Sequence, residues 1–90
     1  MPDGAVPLDV RVRRRGDRVI VTWRTARPAR SQFFVVGEGN GDVEIVRGRG
    51  RRRFRVVLRH TRGERAVQLA WSSTEPRFAD GFLERPVPPR

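Results

Sequence analysis

Few residues of this 90-residue chain could carry catalysis or hold a metal. His60 is the only histidine, and the chain has no cysteine. Two neighbours of this histidine, Arg59 and Arg62, would repel a cation, and a zinc site needs about four ligands. No serine or threonine lies in the glycine-flanked turn of a nucleophile elbow. We therefore expect no enzyme activity, no catalytic residue, no metal site and no cofactor.

In the glycine-rich stretch 38–44, every second residue has a side chain with an oxygen ligand, namely Glu38, Asn40, Asp42 and Glu44. This pattern resembles the start of a calcium loop. Such a loop needs a glycine at its sixth position and a bidentate glutamate at its twelfth. Those positions hold Val43 and Arg49 here. Because Asn40-Gly41 is a strong hairpin signal, the stretch is better interpreted as a solvated turn between two strands.

Arg15-Gly16-Asp17 has the sequence of an integrin-binding tripeptide. The chain contains twenty arginines and nine glycines, so a chance match of this kind is easy. The tripeptide also falls between two predicted strands, where Gly-Asp favours a tight turn. We interpret it as a structural turn.

The formal net charge is +10, and all twenty basic residues are arginines. Arginine binds phosphate and carboxylate groups with two parallel hydrogen bonds, which suits a polyanion. A genome rich in guanine and cytosine would also favour arginine over lysine, but it does not explain twenty bases against ten acids. That excess creates a positive field that attracts polyanions. The arginines are most concentrated in 47–53, with five arginines in seven residues.

Three runs, 18–24, 53–59 and 65–71, alternate apolar residues with arginine or other polar residues. Period-two alternation places one set of side chains on each face of a strand. Short strands separated by frequent turns are typical of a sandwich, so we predict an all-β, seven-stranded antiparallel β-sandwich. The predicted strands are 8–13, 18–24, 32–36, 43–46, 53–59, 65–71 and 82–84. Loops are predicted at 25–31, which contains Pro28, and at 47–52, 60–64 and 72–80.

The order of these features resembles a fibronectin type III domain over most of the chain. The resemblance is carried by Pro7 with Val10, Val19-x-Val21-x-Trp23, 33–36, Phe54-x-Val56-x-Leu58, Gly63, and Val67-x-Leu69. It implies an A-B-E sheet packed on a C-C′-F-G sheet. The family usually has a tyrosine at the E–F corner, where the nearest residue here is Arg65. An immunoglobulin-like sandwich is the alternative.

We expect a disordered lead at 1–5, the sandwich at 6–85 and a proline-rich tail or linker at 86–90. The resemblance implies a non-catalytic interaction or spacer module of a larger extracellular or cell-envelope protein. Its partner would be another protein or a neighbouring domain of the same chain. The alternative is a domain that binds anionic polymers, either acidic polysaccharide or nucleic acid, by charge. No segment approaches the roughly 20 apolar residues of a membrane helix.

Alternation also assigns side chains to faces. The predicted structural core contains Val21, Trp23, Val56, Leu58, Val67 and Leu69. The candidate polyanion-binding residues are Arg11, Arg13, Arg24, Arg53 and Arg55 on the outer face of the A-B-E sheet, and Arg49, Arg51 and Arg52 in the arginine-rich loop. Consecutive Phe33 and Phe34 must point to opposite faces of one strand. The candidate protein-contact face contains Phe34, Val36 and Gln68.

Overall fold

The computed structural model describes residues 6–37, 43–59, 65–72 and 81–88, and the regular structure in these ranges is entirely β. The seven strands are β1 (Leu8–Arg15), β2 (Arg18–Ala29), β3 (Gln32–Gly37), β4 (Val43–Arg47), β5 (Arg51–Leu58), β6 (Ala66–Ser72) and β7 (Gly81–Pro86). The expectations for residues 1–5, for the Asn40-Gly41 turn and for most of the loops at 60–64 and 72–80 lie outside the described residues.

The strands form two antiparallel sheets, which confirms the all-β prediction. Strands β1, β2 and β5 form a three-stranded sheet in the order β1-β2-β5. The other four form a second sheet in the order β4-β3-β6-β7. Every pairing within each sheet is antiparallel. The chain passes between the sheets at the β2–β3, β4–β5 and β5–β6 connections.

One hydrophobic cluster joins the two sheets. Its centre is an aromatic trio in which the Trp23 ring stacks on Phe54 with centroids 5.4 Å apart. Phe33 comes from the opposite sheet and lies 5.3 Å from Trp23 and 4.7 Å from Phe54. The residues predicted as structural core are all buried, namely Val21, Trp23, Val56, Leu58, Val67 and Leu69.

The predicted loop at 25–31 was wrong over most of its length, because β2 continues to Ala29. Ala29 pairs with Arg51 after a register shift that begins at Arg24. The exposed Pro28 lies inside this shifted stretch, where its missing N–H costs no ladder bond. The Thr25 hydroxyl is buried and donates to the Arg27 carbonyl at 2.6 Å.

The predicted loop at 47–52 is also shorter than expected, since β4 ends at Arg47 and β5 begins at Arg51. The Gly48 N–H donates to the Ser31 carbonyl and the Gly50 N–H to the Ala29 carbonyl, each at 2.8 Å. The Arg51 N–H closes the turn on the Gly48 carbonyl at 2.9 Å. The turn is therefore held by backbone hydrogen bonds to the end of β2 and to the β2–β3 connection.

The proline-rich tail begins later than residue 86, where the sequence analysis placed it. Pro86 pairs with Ala66 at the end of β7, an edge strand where proline is tolerated. Val87 is buried in the core, and its N–H donates to the Arg65 carbonyl at 2.8 Å. The Pro88 carbonyl accepts a hydrogen bond from the Arg14 Nε at 3.0 Å. The segment is thus part of the folded domain to residue 88.

Candidate functional site

The outer face of the three-stranded sheet holds a shallow depression lined by arginines. Thr22 on the central strand β2 lies between Arg11 of β1 and Arg55 of β5 in the strand register. Two residues away along β2, on the same face, Ile20 pairs with Arg13 of β1. We call this depression the arginine trough; its residues are Arg11, Arg13, Arg15, Ile20, Thr22 and Arg55. Its volume is about 350 Å³.

A second depression of about 470 Å³ adjoins the arginine trough and shares Arg11 and Thr22 with it. It extends the concave surface along β2 to Arg24 and Arg53, which are direct cross-strand partners. Like charges directly opposite each other destabilise a sheet. The fold therefore retains an unfavourable juxtaposition on this face.

Asp9 offsets part of that repulsion. Its carboxylate accepts a hydrogen bond from the Arg24 Nε in an exposed ion pair. This hydrogen bond, together with the positive charges of Arg24 and Arg11, lowers the pKa of Asp9 below its ordinary value of 3.8. The carboxylate is therefore ionised at neutral pH, and the ion pair is lost only as the pH falls through that lowered pKa. Asp9 has a φ of 50° at an irregularity in the β1–β2 register.

The arginines at the start of β5 have other surroundings. The Arg51 guanidinium donates to the Gly48 and Arg47 carbonyls at 3.2 and 2.8 Å, and it lies 5.4 Å from the Phe54 ring centroid. Arg51, one of the candidate polyanion-binding residues, thus holds the turn between β4 and β5 together. Arg49 lies in that turn, beside a separate depression, and Arg52 lies near Arg24 and Arg53. The structure places Arg49 and Arg52 outside the arginine trough.

The outer face of the four-stranded sheet carries a row of apolar residues. Phe33 and Val35 point into the core, so the half-buried Phe34 and Val36 point outward. Phe34 pairs with Ile45 of β4 and Ala70 of β6, and Ala70 pairs with Phe82 of β7. We call this surface the apolar face; its residues are Phe34, Val36, Val43, Ile45, Ala70 and Phe82. Gln68, the third predicted contact residue, is exposed beside Val36.

Alternation already points Ala70 outward beside Gln68, but the sequence alone does not indicate that Val43, Ile45 and Phe82 belong to the same surface. Each lies in a predicted strand, or next to one, but alternation within a strand does not say which residues of other strands lie beside it. The pairing register supplies that information. The exposed fractions of Phe82, Ile45 and Val43, which are 70%, 60% and 51%, could not be read from their types.

The remaining motifs lie in a hairpin turn or mostly outside the described residues. Gly16-Asp17 forms a two-residue turn in which Gly16 has a φ of 56° and the flanking Arg15 and Arg18 pair. The tripeptide is therefore part of a tight hairpin. His60 and most of the acidic stretch at 38–44 lie outside the described ranges. Within those ranges, no three His, Cys, Asp or Glu side chains come together, and no helix could cross a membrane.

Comparison of the chain with models of protein families, with curated proteins and with solved structures found no match.

Proposed function

We propose that this chain is a fibronectin type III-like interaction module without catalytic activity. The apolar face would bind a protein partner or a neighbouring domain of a larger extracellular or cell-envelope protein. The division of strands supports the family assignment, because the first, second and fifth strands share one sheet, like A, B and E in that family. The others follow the order C′-C-F-G. Trp23 also lies in the second strand, in the core between the sheets.

The observation that carries the proposed function is the exposure of large apolar side chains on the apolar face. An antiparallel sheet that faces water normally presents polar residues on its outer side. Here Phe82 is 70% exposed and Ile45 is 60% exposed, with Phe34 and Ala70 between them in one cross-strand row. Contiguous exposed apolar residues mark interaction surfaces, and aromatic side chains are frequent anchors in them.

The dimensions and charge of the apolar face suit a protein contact. Neighbouring strands lie about 4.8 Å apart, so the row from Ile45 to Phe82 spans about 14 Å. The four strands of this sheet carry two arginines, Arg47 and Arg85, and two glutamates, Glu44 and Glu84. The sheet is thus close to neutral in a chain of net charge +10. Burial of its apolar residues on docking would remove little charge from water.

Photo-crosslinking from the apolar face tests this function. A benzophenone amino acid at position 82 should form a protein adduct in cells that naturally produce the protein. Val43→Ser with Ile45→Ser should abolish that adduct. Because both side chains are more than half exposed, we expect this pair to shift the melting temperature by less than about 5 °C.

The matched control places the same benzophenone at position 13, on the outer face of the other sheet, where no protein adduct should form. Two results would contradict the proposed function. One is the absence of a protein adduct at position 82 while the folded protein is present. The other is an adduct at position 82 that survives Val43→Ser with Ile45→Ser.

A further inference from the structure

The arginines are distributed unequally between the two sheets. Strands β1, β2 and β5 contain eleven arginines and one acid, Asp9. The strands of the other sheet contain two arginines and two glutamates. A genome-wide bias toward arginine would act on all seven strands alike. It explains the absence of lysine but not the concentration of charge on one sheet, so this sheet requires its own explanation.

The geometry of the arginine trough suits a linear anionic chain. Arg11 and Arg13 are two residues apart on β1, so their backbone positions are separated by about 6.7 Å along one wall. Arg55 stands on the opposite wall, two strand spacings or about 10 Å across. A row of guanidinium groups on β1 and the single guanidinium group of Arg55 on β5 thus flank a floor formed by the Thr22 and Ile20 side chains. Guanidinium groups on both walls can hold charges on both sides of one extended polymer.

The floor of the trough favours a sugar polymer over a single-stranded nucleic acid. Proteins that bind single-stranded nucleic acid without sequence preference combine a basic groove with aromatic side chains that stack on the bases. The aromatic residues of this sheet, Trp23 and Phe54, point into the core and are 3% and 4% exposed. The half-buried Ile20 and Thr22 instead offer an apolar surface and a hydroxyl group, which match the two kinds of surface on a sugar ring.

We propose that the arginine trough binds a single chain of an acidic polysaccharide, with Arg11, Arg13 and Arg55 as the groups that hold its carboxylates or sulfates. This function goes beyond docking through the apolar face and uses the opposite side of the domain. A failure of one proposal therefore leaves the other intact.

Asp9 competes with such a ligand. It is the one acid on the strands of this sheet, and it holds the Arg24 guanidinium at the end of the adjoining depression. An anionic group from the ligand would have to displace the carboxylate to use Arg24. Removal of the charge of Asp9 is therefore expected to strengthen binding.

The first experiment measures the affinity of the protein for polygalacturonate and dextran sulfate across a series of salt concentrations. Replacing Arg11, Arg13 and Arg55 with glutamine should weaken binding at least tenfold, and it should reduce the number of counterions released by about two to three. The matched control replaces Arg47, Arg65 and Arg85, which are exposed and lie on or beside the other sheet. It removes the same charge and should weaken binding less than about threefold.

Circular dichroism and the melting temperature establish that both triple variants are folded. Equal losses in the two triples would show that only net charge matters and would overturn the proposal. The absence of polysaccharide binding by the native protein at low salt would also overturn it. So would tighter binding of duplex DNA that depends on the same three arginines, because the surface would then be one for nucleic acid.

The second experiment tests whether removing the charge of Asp9 strengthens the binding of dextran sulfate. Asp9→Asn keeps the shape of the side chain, and asparagine tolerates the left-handed backbone at this position. We expect it to strengthen dextran sulfate binding about threefold or more and to add about one released counterion. Dextran sulfate is the preferred probe because its sulfate groups keep their charge whatever the pH of the assay. An unchanged or reduced affinity would show that Arg24 and its depression take no part.

Discussion

Trp23→Ala should lower the free energy of unfolding by about 3–5 kcal/mol, because it empties the centre of the core. Trp23 is 3% exposed and contacts both Phe54 of its own sheet and Phe33 of the opposite sheet. Its removal leaves a cavity between the sheets, and Phe33 and Phe54 each lose the indole ring as a neighbour. A small domain has a total stability of about 5–15 kcal/mol, so this single change removes a large fraction of it.

Trp23→Phe is a second variant at the same position that separates the loss of volume from the loss of the indole N–H. The indole Nε1 of Trp23 is buried and has no hydrogen-bond partner among the described residues. Phenylalanine keeps one aromatic ring between Phe33 and Phe54 and removes this N–H, so the lost volume is partly offset by the loss of an unpaired donor. We expect Trp23→Phe to cost less than half as much as Trp23→Ala.

Urea denaturation followed by far-UV circular dichroism measures both changes. A Trp23→Ala variant as stable as the native chain would show that the aromatic trio does not form the core. If Trp23→Phe were as damaging as Trp23→Ala, the indole N–H would have a stabilising partner.

The sequence predicted the strands and the buried residues because both follow from alternation within one strand. Val21 with Trp23, and Val56 with Leu58, lie on one face of their strands whatever those strands pair with. Prediction failed at 25–29, where Pro28 looked like the end of a strand. The register shift after Arg24 lets the chain remain extended past the proline.

The candidate surfaces could be predicted only in part, since each depends on pairing between distant segments. Arg11 and Arg55 are 44 positions apart in the chain, yet both flank Thr22 in the sheet. Phe82 joins Phe34 only through the intervening Ala70 of β6. Likewise, Arg51 looked free for a ligand until its bonds to the Gly48 and Arg47 carbonyls were seen.

The two outer faces of the domain differ in chemistry, one apolar and one rich in arginine, and they lie on opposite sides. A partner bound to the apolar face would leave the arginine trough on the far side, open to solvent. The apolar face has the greater need of a bound partner, because exposed Phe82 and Ile45 are unfavourable in water. The trough needs only screening by salt when it is empty. Docking through one face and polymer binding through the other are therefore compatible in one small module.

Gly48→Ala is expected to be the second severe change, lowering the free energy of unfolding by about 3 kcal/mol. A Cβ atom at this position would lie 2.2 Å from the Ala29 carbonyl oxygen and 2.9 Å from that of Ser31. Both neighbours are backbone atoms, at the end of β2 and in the β2–β3 connection, so neither can rotate away. To relieve the collision, the turn must move and weaken the hydrogen bond from the Gly48 N–H to Ser31.

Gly50→Ala is the matched control in the same turn. Gly50 has a φ of 75°, but an added Cβ would meet nothing within 4 Å. This change tests only the cost of a left-handed backbone, about 1–2 kcal/mol for a residue with a side chain. Thermal unfolding of the two variants beside the native chain separates steric collision from backbone strain. If Gly48→Ala were no more destabilising than Gly50→Ala, the turn would not be held against Ala29 and Ser31. The β4–β5 connection would then have a different path between the two sheets.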